Sequence, residues 1–92
     1  MSGDKMKVRL SEMKPGEEGV IAGVLGGDPL TIRRIMEMGM VKGEKVKVIR
    51  NAPLKDPIEF EVKGYNLSLK RDEAETIIVE VKRRSDSPRN GP

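Results

Sequence analysis

Apolar residues recur at helical spacing in one stretch of the chain, between positions 29 and 38. The members of this stretch are Leu30, Ile32, Ile35, Met36 and Met38, and their spacing predicts one amphipathic helix. Pro29 suits the first helical position, where its missing N–H needs no partner, and Gly39 suits the left-handed residue that ends many helices. We expect the Asp28 carboxylate to cap this helix by accepting a hydrogen bond from a free backbone N–H of its first turn.

The other apolar residues follow the patterns of β-strands. Strands are predicted at about 17–25, 45–50, 58–63, 65–70 and 77–82. The first contains a continuous apolar run, and in the others apolar and polar residues alternate as in strands with one buried face. Five such strands, with the helix after the first and short helical turns near 10–13 and 71–75, predict a mainly β chain that closes into a small barrel.

The composition excludes several kinds of chemistry. The chain contains no histidine and no cysteine, so it has no disulfide, thiolate nucleophile, Ser-His-Asp triad or histidine-bound metal. No pair of residues resembles an activated nucleophile or the acid and base that catalysis requires. The sequence therefore predicts that the protein is not an enzyme.

Charge divides the body of the chain from its end. Residues 1–81 carry 14 basic and 14 acidic side chains, so the formal net charge of +3 arises in residues 82–92. Residues 83–92 offer nothing apolar to bury and are expected to form a disordered basic tail. Residues 1–7 are expected to be a short extension, which leaves 8–82 as one barrel domain. No apolar run approaches the roughly 18 residues of a membrane span and no signal peptide is visible, so we expect a cytoplasmic location without membrane insertion.

Five segments, taken in order, resemble one known family. They are Leu10–Glu17, Arg34–Gly43, Ala52–Ile58, Asn66–Ala74 and Ile77–Val79. Together they span about residues 8–82 and resemble the FeoA-type domain of ferrous iron transport, a small SH3-like barrel. Methionine stands at positions 36, 38 and 40, where the family more often has leucine, and Lys55 stands where glycine is common.

The resemblance implies an accessory protein of FeoB, the membrane ferrous iron transporter with a cytosolic GTP-binding domain. It implies regulation of iron uptake or GTP turnover through protein–protein contact, and weak self-association is left open. The candidate partner-binding residues lie on the predicted helix, in the turn after it and in the loop at 51–57: Arg33, Arg34, Met38, Met40, Val41 and Leu54. Flexible methionines beside arginines suit an adaptable contact. In the alternative interpretation, Met38 closes the core and the arginines are merely solvated.

A weak metal-sensing module is one alternative function. The family is often described as transition-metal binding, and the densest acidic group is formed by Asp72, Glu73 and Glu75. These residues are weak candidates for metal ligands, because Fe²⁺ prefers imidazole together with carboxylate and this chain lacks histidine. We therefore expect no tightly bound cofactor, and the resemblance alone supports weak binding of a divalent metal such as Fe²⁺.

A nucleic-acid-binding barrel is the other alternative. Proteins that bind single strands combine aromatic platforms with a basic groove. Phe60 and Tyr65 are the only aromatic residues, and both fall in rows predicted to face inward. Since the body of the chain is neutral as well, no nucleic-acid partner is expected, and only the basic tail favours one.

Overall fold

The computed structural model describes residues 4–83, which form six strands, two helices and one 3₁₀ turn. In chain order the elements are β1 (Asp4–Arg9), the 3₁₀ turn (Leu10–Glu12), β2 (Glu18–Val24), α1 (Pro29–Glu37), β3 (Lys45–Arg50), β4 (Ile58–Val62), β5 (Tyr65–Leu69), α2 (Arg71–Ala74) and β6 (Ile77–Arg83). Neighbouring strands are antiparallel, in the order β1-β6-β2-β3-β4-β5. The sheet wraps a single core with β1 and β5 as its edges, so the predicted mainly β, barrel-like fold is confirmed.

The core is built from the inward rows of the strands. β4 shows the pattern most plainly, because Ile58, Phe60 and Val62 are buried while the glutamates between them reach solvent. Burying a side chain of this size contributes about 1.5–3 kcal/mol. The other buried apolar residues of the described chain are Leu10, Met13, Ile21, Ile35, Met40, Val46, Val48, Leu69, Ala74, Ile77, Val79 and Val81.

Tyr65 departs from the predicted inward row. Its partner across the β4–β5 hairpin is Val62, which is buried, yet Tyr65 itself is 71% exposed. Lys63 and Gly64 connect the two strands, and both have the positive φ that a two-residue type I′ turn requires. Tyr65 therefore lies at the turn end of an edge strand, where its ring remains largely in solvent, and the predicted inward position is wrong.

β1 is an additional strand that the sequence pattern does not indicate. Residues 4–7, expected to form an extension, belong to this strand, which pairs with β6 from end to end. Val8 packs against the core, whereas Met6 is only partly covered. Two alternating apolar residues are too few to identify a strand in the sequence, and it is the pairing with β6 that defines this one.

The C-terminal end of β6 also differs from the prediction. Arg83, expected to begin a disordered tail, lies in the sheet, and its guanidinium donates two hydrogen bonds to the Glu17 carboxylate, at 2.7 Å from Nε and 2.9 Å from Nη2. This bidentate ion pair explains why the strand continues past the last apolar residue. The other residues of the predicted tail, 84–92, lie outside the described residues.

Strands β2 and β6 approach closely at Gly19. A Cβ at this position would lie 2.7 Å from the carbonyl oxygen of Glu80 and 2.8 Å from Cγ1 of Val81. Gly19 faces Val81 in the register of the two strands, so the added atom would enter the packed interior. Glycine is needed here because it alone leaves room for the neighbouring strand.

Helix α1 begins and ends where the sequence predicts but is only lightly packed on the barrel. Gly39 follows it with a φ of 93° and terminates it. Ile35 is the buried residue of α1, while Leu30 and Met36 are 75% and 49% exposed. The apolar stripe of this helix is therefore divided between the core and the solvent.

The start of α1 uses a different hydrogen bond from the one predicted. The Asp28 carboxylate accepts a hydrogen bond from the Thr31 hydroxyl at 2.8 Å and makes no bond to a backbone N–H of the first turn. Thr31 offers a donor on the same face of the helix, so the expected backbone cap is wrong. None of the helices in residues 4–83 is long and apolar enough to cross a membrane.

Candidate protein-contact surface

The structure separates the predicted partner-binding residues into buried and exposed ones. Met40 is fully buried and Met38 is partly buried against the core. The backbone N–H of Met40 donates to the carbonyl oxygen of Ile35, so the chain folds back under α1 after Gly39. Met40 belongs to the core, and its prediction as a contact residue is wrong because the reversal of the chain turns its side chain inward.

The two arginines of α1 have different surroundings. Arg33 is exposed and pairs with Glu37 one turn later, with Nε and Oε2 3.3 Å apart. Arg34 reaches across to α2 and pairs with Glu73, whose side chain is much less exposed. Arg33 is thus a solvated surface charge, whereas Arg34 connects the two helices.

Arg71 joins α2 to the loop at 51–57. Its guanidinium donates hydrogen bonds to Asn51 Oδ1 and to the carbonyl oxygen of Ala52 at 2.8 Å each, and to the carbonyl oxygen of Lys55 at 3.0 Å. The backbone N–H of Arg71 donates to Asp56 Oδ1 at 2.6 Å. One residue therefore holds both arms of the loop.

Asn51 extends this network to the 3₁₀ turn. Its side-chain amide donates to the carbonyl oxygens of Ser11 and Met13, at 3.0 and 2.7 Å. Neither Asn51 nor Arg71 stands out in the sequence, because hydrogen bonds between residues 15 to 40 positions apart leave no local pattern. We name the surface formed by α1, the loop 51–57 and α2 the helical end of the barrel.

The helical end presents apolar groups to solvent. Leu54 is 99% exposed at the tip of the loop. On α1, Pro29, Ile32 and Met36 line an apolar groove of about 480 Å³, with Arg33 and Glu37 at its rim. An exposed apolar knob and an apolar groove are features of protein-binding surfaces.

Val41 is not part of this surface. It lies in the turn after Gly39, and this turn is joined to β2 by the hydrogen bonds from Gly43 N–H to Ile21 O and from Ile21 N–H to Glu44 O. The structure therefore connects Arg34 with the loop that carries Leu54, through α2, but leaves Val41 on a separate turn. Val41 is 40% exposed there.

Of the three acidic residues at and just after α2, Glu73 has a structural role. Glu73 Oε1 accepts the backbone N–H of Lys70 at 3.0 Å, and its second oxygen faces Arg34. Asp72 and Glu75 are exposed. In residues 4–83 no group of three or more acidic side chains is arranged to hold a metal ion.

Among the described residues, the ion pair of Glu17 with Arg83 shows a clear shift in pKa. Residues 5–83 include no buried polar or charged residue. The hydrogen bonds from Arg83 lower the pKa of Glu17, and the same contact raises the pKa of Arg83. Because both groups are engaged in joining β6 to the start of β2, this shift reflects an ion pair of the fold.

These observations define a small SH3-like β-barrel with an exposed apolar surface at its helical end. The FeoA domain family matches residues 8–81, and the chain belongs to this family. The chain is 42% identical over 74 residues to the Fe(2+) transport protein A/Fe(2+) transporter FeoB fusion protein of Porphyromonas gingivalis; this match covers 80% of the chain. The chain spans only 9% of the length of that relative.

Solved structures support the same assignment. The FeoA protein from Chlorobium tepidum is 38% identical, with a TM-score of 0.73 and coverage of 92% of this chain and 81% of that one. The zinc complex of Stenotrophomonas maltophilia FeoA, described as a prokaryotic SH3 domain protein, is 26% identical, with a TM-score of 0.73 and coverage of 86% and 99%. The resemblance to FeoA drawn from the sequence is confirmed.

Proposed function

We propose that this chain is a cytoplasmic accessory protein of ferrous iron transport, which regulates a FeoB-like GTP-binding membrane transporter by binding its cytosolic domain. The observation that carries the proposal is the Porphyromonas gingivalis relative, in which a region similar to this chain and the transporter FeoB are one polypeptide. Covalent fusion holds two modules at a high effective concentration. Such an arrangement favours direct contact between the FeoA-like region and the transporter.

The helical end of the barrel is the surface best suited to that contact. It combines the exposed Leu54 with the apolar groove on α1, and the exposed Arg33 lies at the rim of the groove. Interfaces of this kind place apolar groups at the centre and charges at the rim. The exposed strand surfaces of the described chain carry mostly charged and polar side chains, which favour solvation, and their exposed apolar residues are Met6, Val20, Ile49 and Tyr65.

Calorimetric titration of the full chain against the cytosolic GTP-binding domain of the transporter from the same organism tests this proposal. The domain is prepared with GDP and with a non-hydrolysable GTP analogue, each with and without Fe²⁺. Saturable binding supports the accessory role, and a difference between the nucleotide states identifies the state that the chain favours. Absence of heat at high micromolar concentrations rejects direct contact with this domain.

Two charge reversals locate the contact. Arg33→Glu changes an exposed charge on the helical end, and Lys45→Glu changes an exposed charge on β3, opposite the uncharged Val20. Charges at the rim of an interface mainly affect the association rate and its salt dependence. We expect Arg33→Glu to slow association and Lys45→Glu to leave it unchanged, and the reverse order would place the contact on the sheet.

A further inference from the structure

The tip of the loop 51–57 is a tight turn with an unusual residue at its third position. The backbone N–H of Lys55 donates to the carbonyl oxygen of Ala52 at 3.1 Å, which closes a four-residue β-turn. Pro53 occupies the second position and Leu54 the third, where its φ is 62°. This is the arrangement of a type II turn, whose third position favours glycine or asparagine because other residues adopt positive φ at a cost.

Neither the turn nor the core accounts for a leucine at this position. Leucine is poorly suited to the left-handed backbone that the turn requires. Its side chain is 99% exposed, so it contributes no burial to folding. Leu54 thus adopts an unfavourable backbone conformation, and its side chain adds no stability to the fold. Such a residue points to a function in binding another molecule.

The turn is held rigidly in this conformation. Arg71 bonds the carbonyl oxygens of Ala52 and Lys55, which lie on either side of the Leu54 side chain. Asp56, directly after the turn, accepts the backbone N–H of Arg71. The leucine side chain is therefore presented on a fixed base, and a group fixed in advance loses less conformational freedom when it binds.

We propose that Leu54 is the anchor residue of the helical end and inserts into an apolar pocket on the cytosolic domain of the FeoB-like transporter. This inference rests on the proposed function and adds the residue and the manner of binding. Lys55 follows the anchor, is exposed and forms no ion pair among the residues that the structure describes. A carboxylate at the rim of the partner's pocket would complement it.

A second copy of this chain is the competing occupant. The groove on α1 could receive a leucine side chain, but the charges at its rim, Arg33 and Glu37, already pair with each other. Lys55 would therefore have to compete with Arg33 for the Glu37 carboxylate. The transporter is favoured by this lack of charge complementarity and by the fused relative from Porphyromonas gingivalis.

The test compares full-length variants of the anchor in the same titration. Leu54→Gly removes the side chain but suits the positive φ, so we expect a melting temperature within a few degrees of the wild type and about 30-fold weaker binding, as for a central interface residue. Leu54→Met keeps an apolar side chain of similar size and should retain most of the affinity. Tyr65→Ser is the matched control. Tyr65 is also largely exposed, but it lies at the start of β5, whereas α2 and the loop that carries Leu54 lie beside the other end of this strand.

Each outcome decides between the possibilities. Weak binding by Leu54→Gly, with affinity retained by Leu54→Met and Tyr65→Ser, supports the anchor. Equal affinity of Leu54→Gly and the wild type overturns the anchor and leaves the proposed function in place. No binding by the wild type overturns both. A large drop in the melting temperature of Leu54→Gly assigns Leu54 a folding role and overturns the proposal.

Sedimentation of the wild type alone distinguishes the competing occupant. We expect a monomer at concentrations where the transporter domain binds. Concentration-dependent dimers that Leu54→Gly abolishes would show that a second copy receives the leucine. That result would overturn the assignment of the anchor to the transporter.

Discussion

Arg71 gives the sharpest test of how the loop that carries Leu54 is held. Its guanidinium bonds to Asn51 Oδ1 and to the carbonyl oxygen of Ala52 are both 2.8 Å long and partly buried, whereas the bond to the carbonyl oxygen of Lys55 is exposed. Arg71→Met keeps an unbranched apolar side chain and removes the donors of the guanidinium, while the backbone N–H that bonds to Asp56 remains. A hydrogen bond to a charged group contributes about 1.5–3 kcal/mol, and water can replace the exposed one. A third partly buried bond, from Arg71 Nη1 to the carbonyl oxygen of Ser11, is long at 3.5 Å and adds little. Since the two short partly buried bonds share the nitrogen Nη2, we expect a loss of about 2–4 kcal/mol in the free energy of unfolding.

Urea unfolding followed by far-ultraviolet circular dichroism measures this loss. For a domain of this size, 1 kcal/mol lowers the melting temperature by about 4–8 °C, so a decrease of roughly 8–32 °C is expected. Hydrogen exchange at the backbone N–H of Lys55 should also accelerate, because the turn loses its support. Arg33→Met is the control, since the pair of Arg33 with Glu37 is exposed and contributes only about 0.3–0.5 kcal/mol. A loss no greater than that of the control would refute the argument that Arg71 holds the loop.

Three further perturbations test the packing and the electrostatics of the fold by the same urea unfolding. Gly19→Ala forces a methyl group against the backbone of β6 and should cost about 1–3 kcal/mol; an unchanged midpoint would mean that the two strands can separate without cost. Ile35→Ala removes the buried contact of α1 and should lower the free energy of unfolding by about 2–5 kcal/mol. Met36→Ala, at an exposed position, is the control and should lower it by less than about 0.5 kcal/mol. Equal losses in the two variants would contradict the observed packing. The pKa of Glu17 is lowered chiefly by its hydrogen bonds from Arg83, so this pair stabilises the fold fully above the ordinary glutamate pKa and loses that effect as the pH falls through the lowered value. Glu17→Gln should therefore cost about 1–2 kcal/mol at neutral pH and progressively less as the pH falls below the ordinary glutamate pKa, and a cost that does not shrink in acid would contradict this assignment.

The candidate contact surface was only partly accessible to sequence reasoning. Leu54 is correctly placed in an exposed loop, because the flanking prolines and the absence of alternation indicate a loop without reference to the rest of the fold. Met40 was predicted on the contact surface and is buried, since its position depends on the chain folding back under α1. Arg71 and Asn51 have no sequence signature as supports of the loop, although their hydrogen bonds fix its shape.

The local pattern of the sequence determined the elements that carry their own signal. The alternation in β4 fixes which side of the strand is buried, and the spacing of apolar residues from Pro29 to Gly39 fixes the helix, because both are properties of consecutive residues. Tertiary structure alone decided which segments pack against each face of the helix and the strands. β1 exists because β6 pairs with it, and Tyr65 is exposed because it lies at the turn end of the edge strand β5. Burial and hydrogen bonding between distant residues depend on which segments the fold brings together, and no stretch of neighbouring residues encodes that choice by itself.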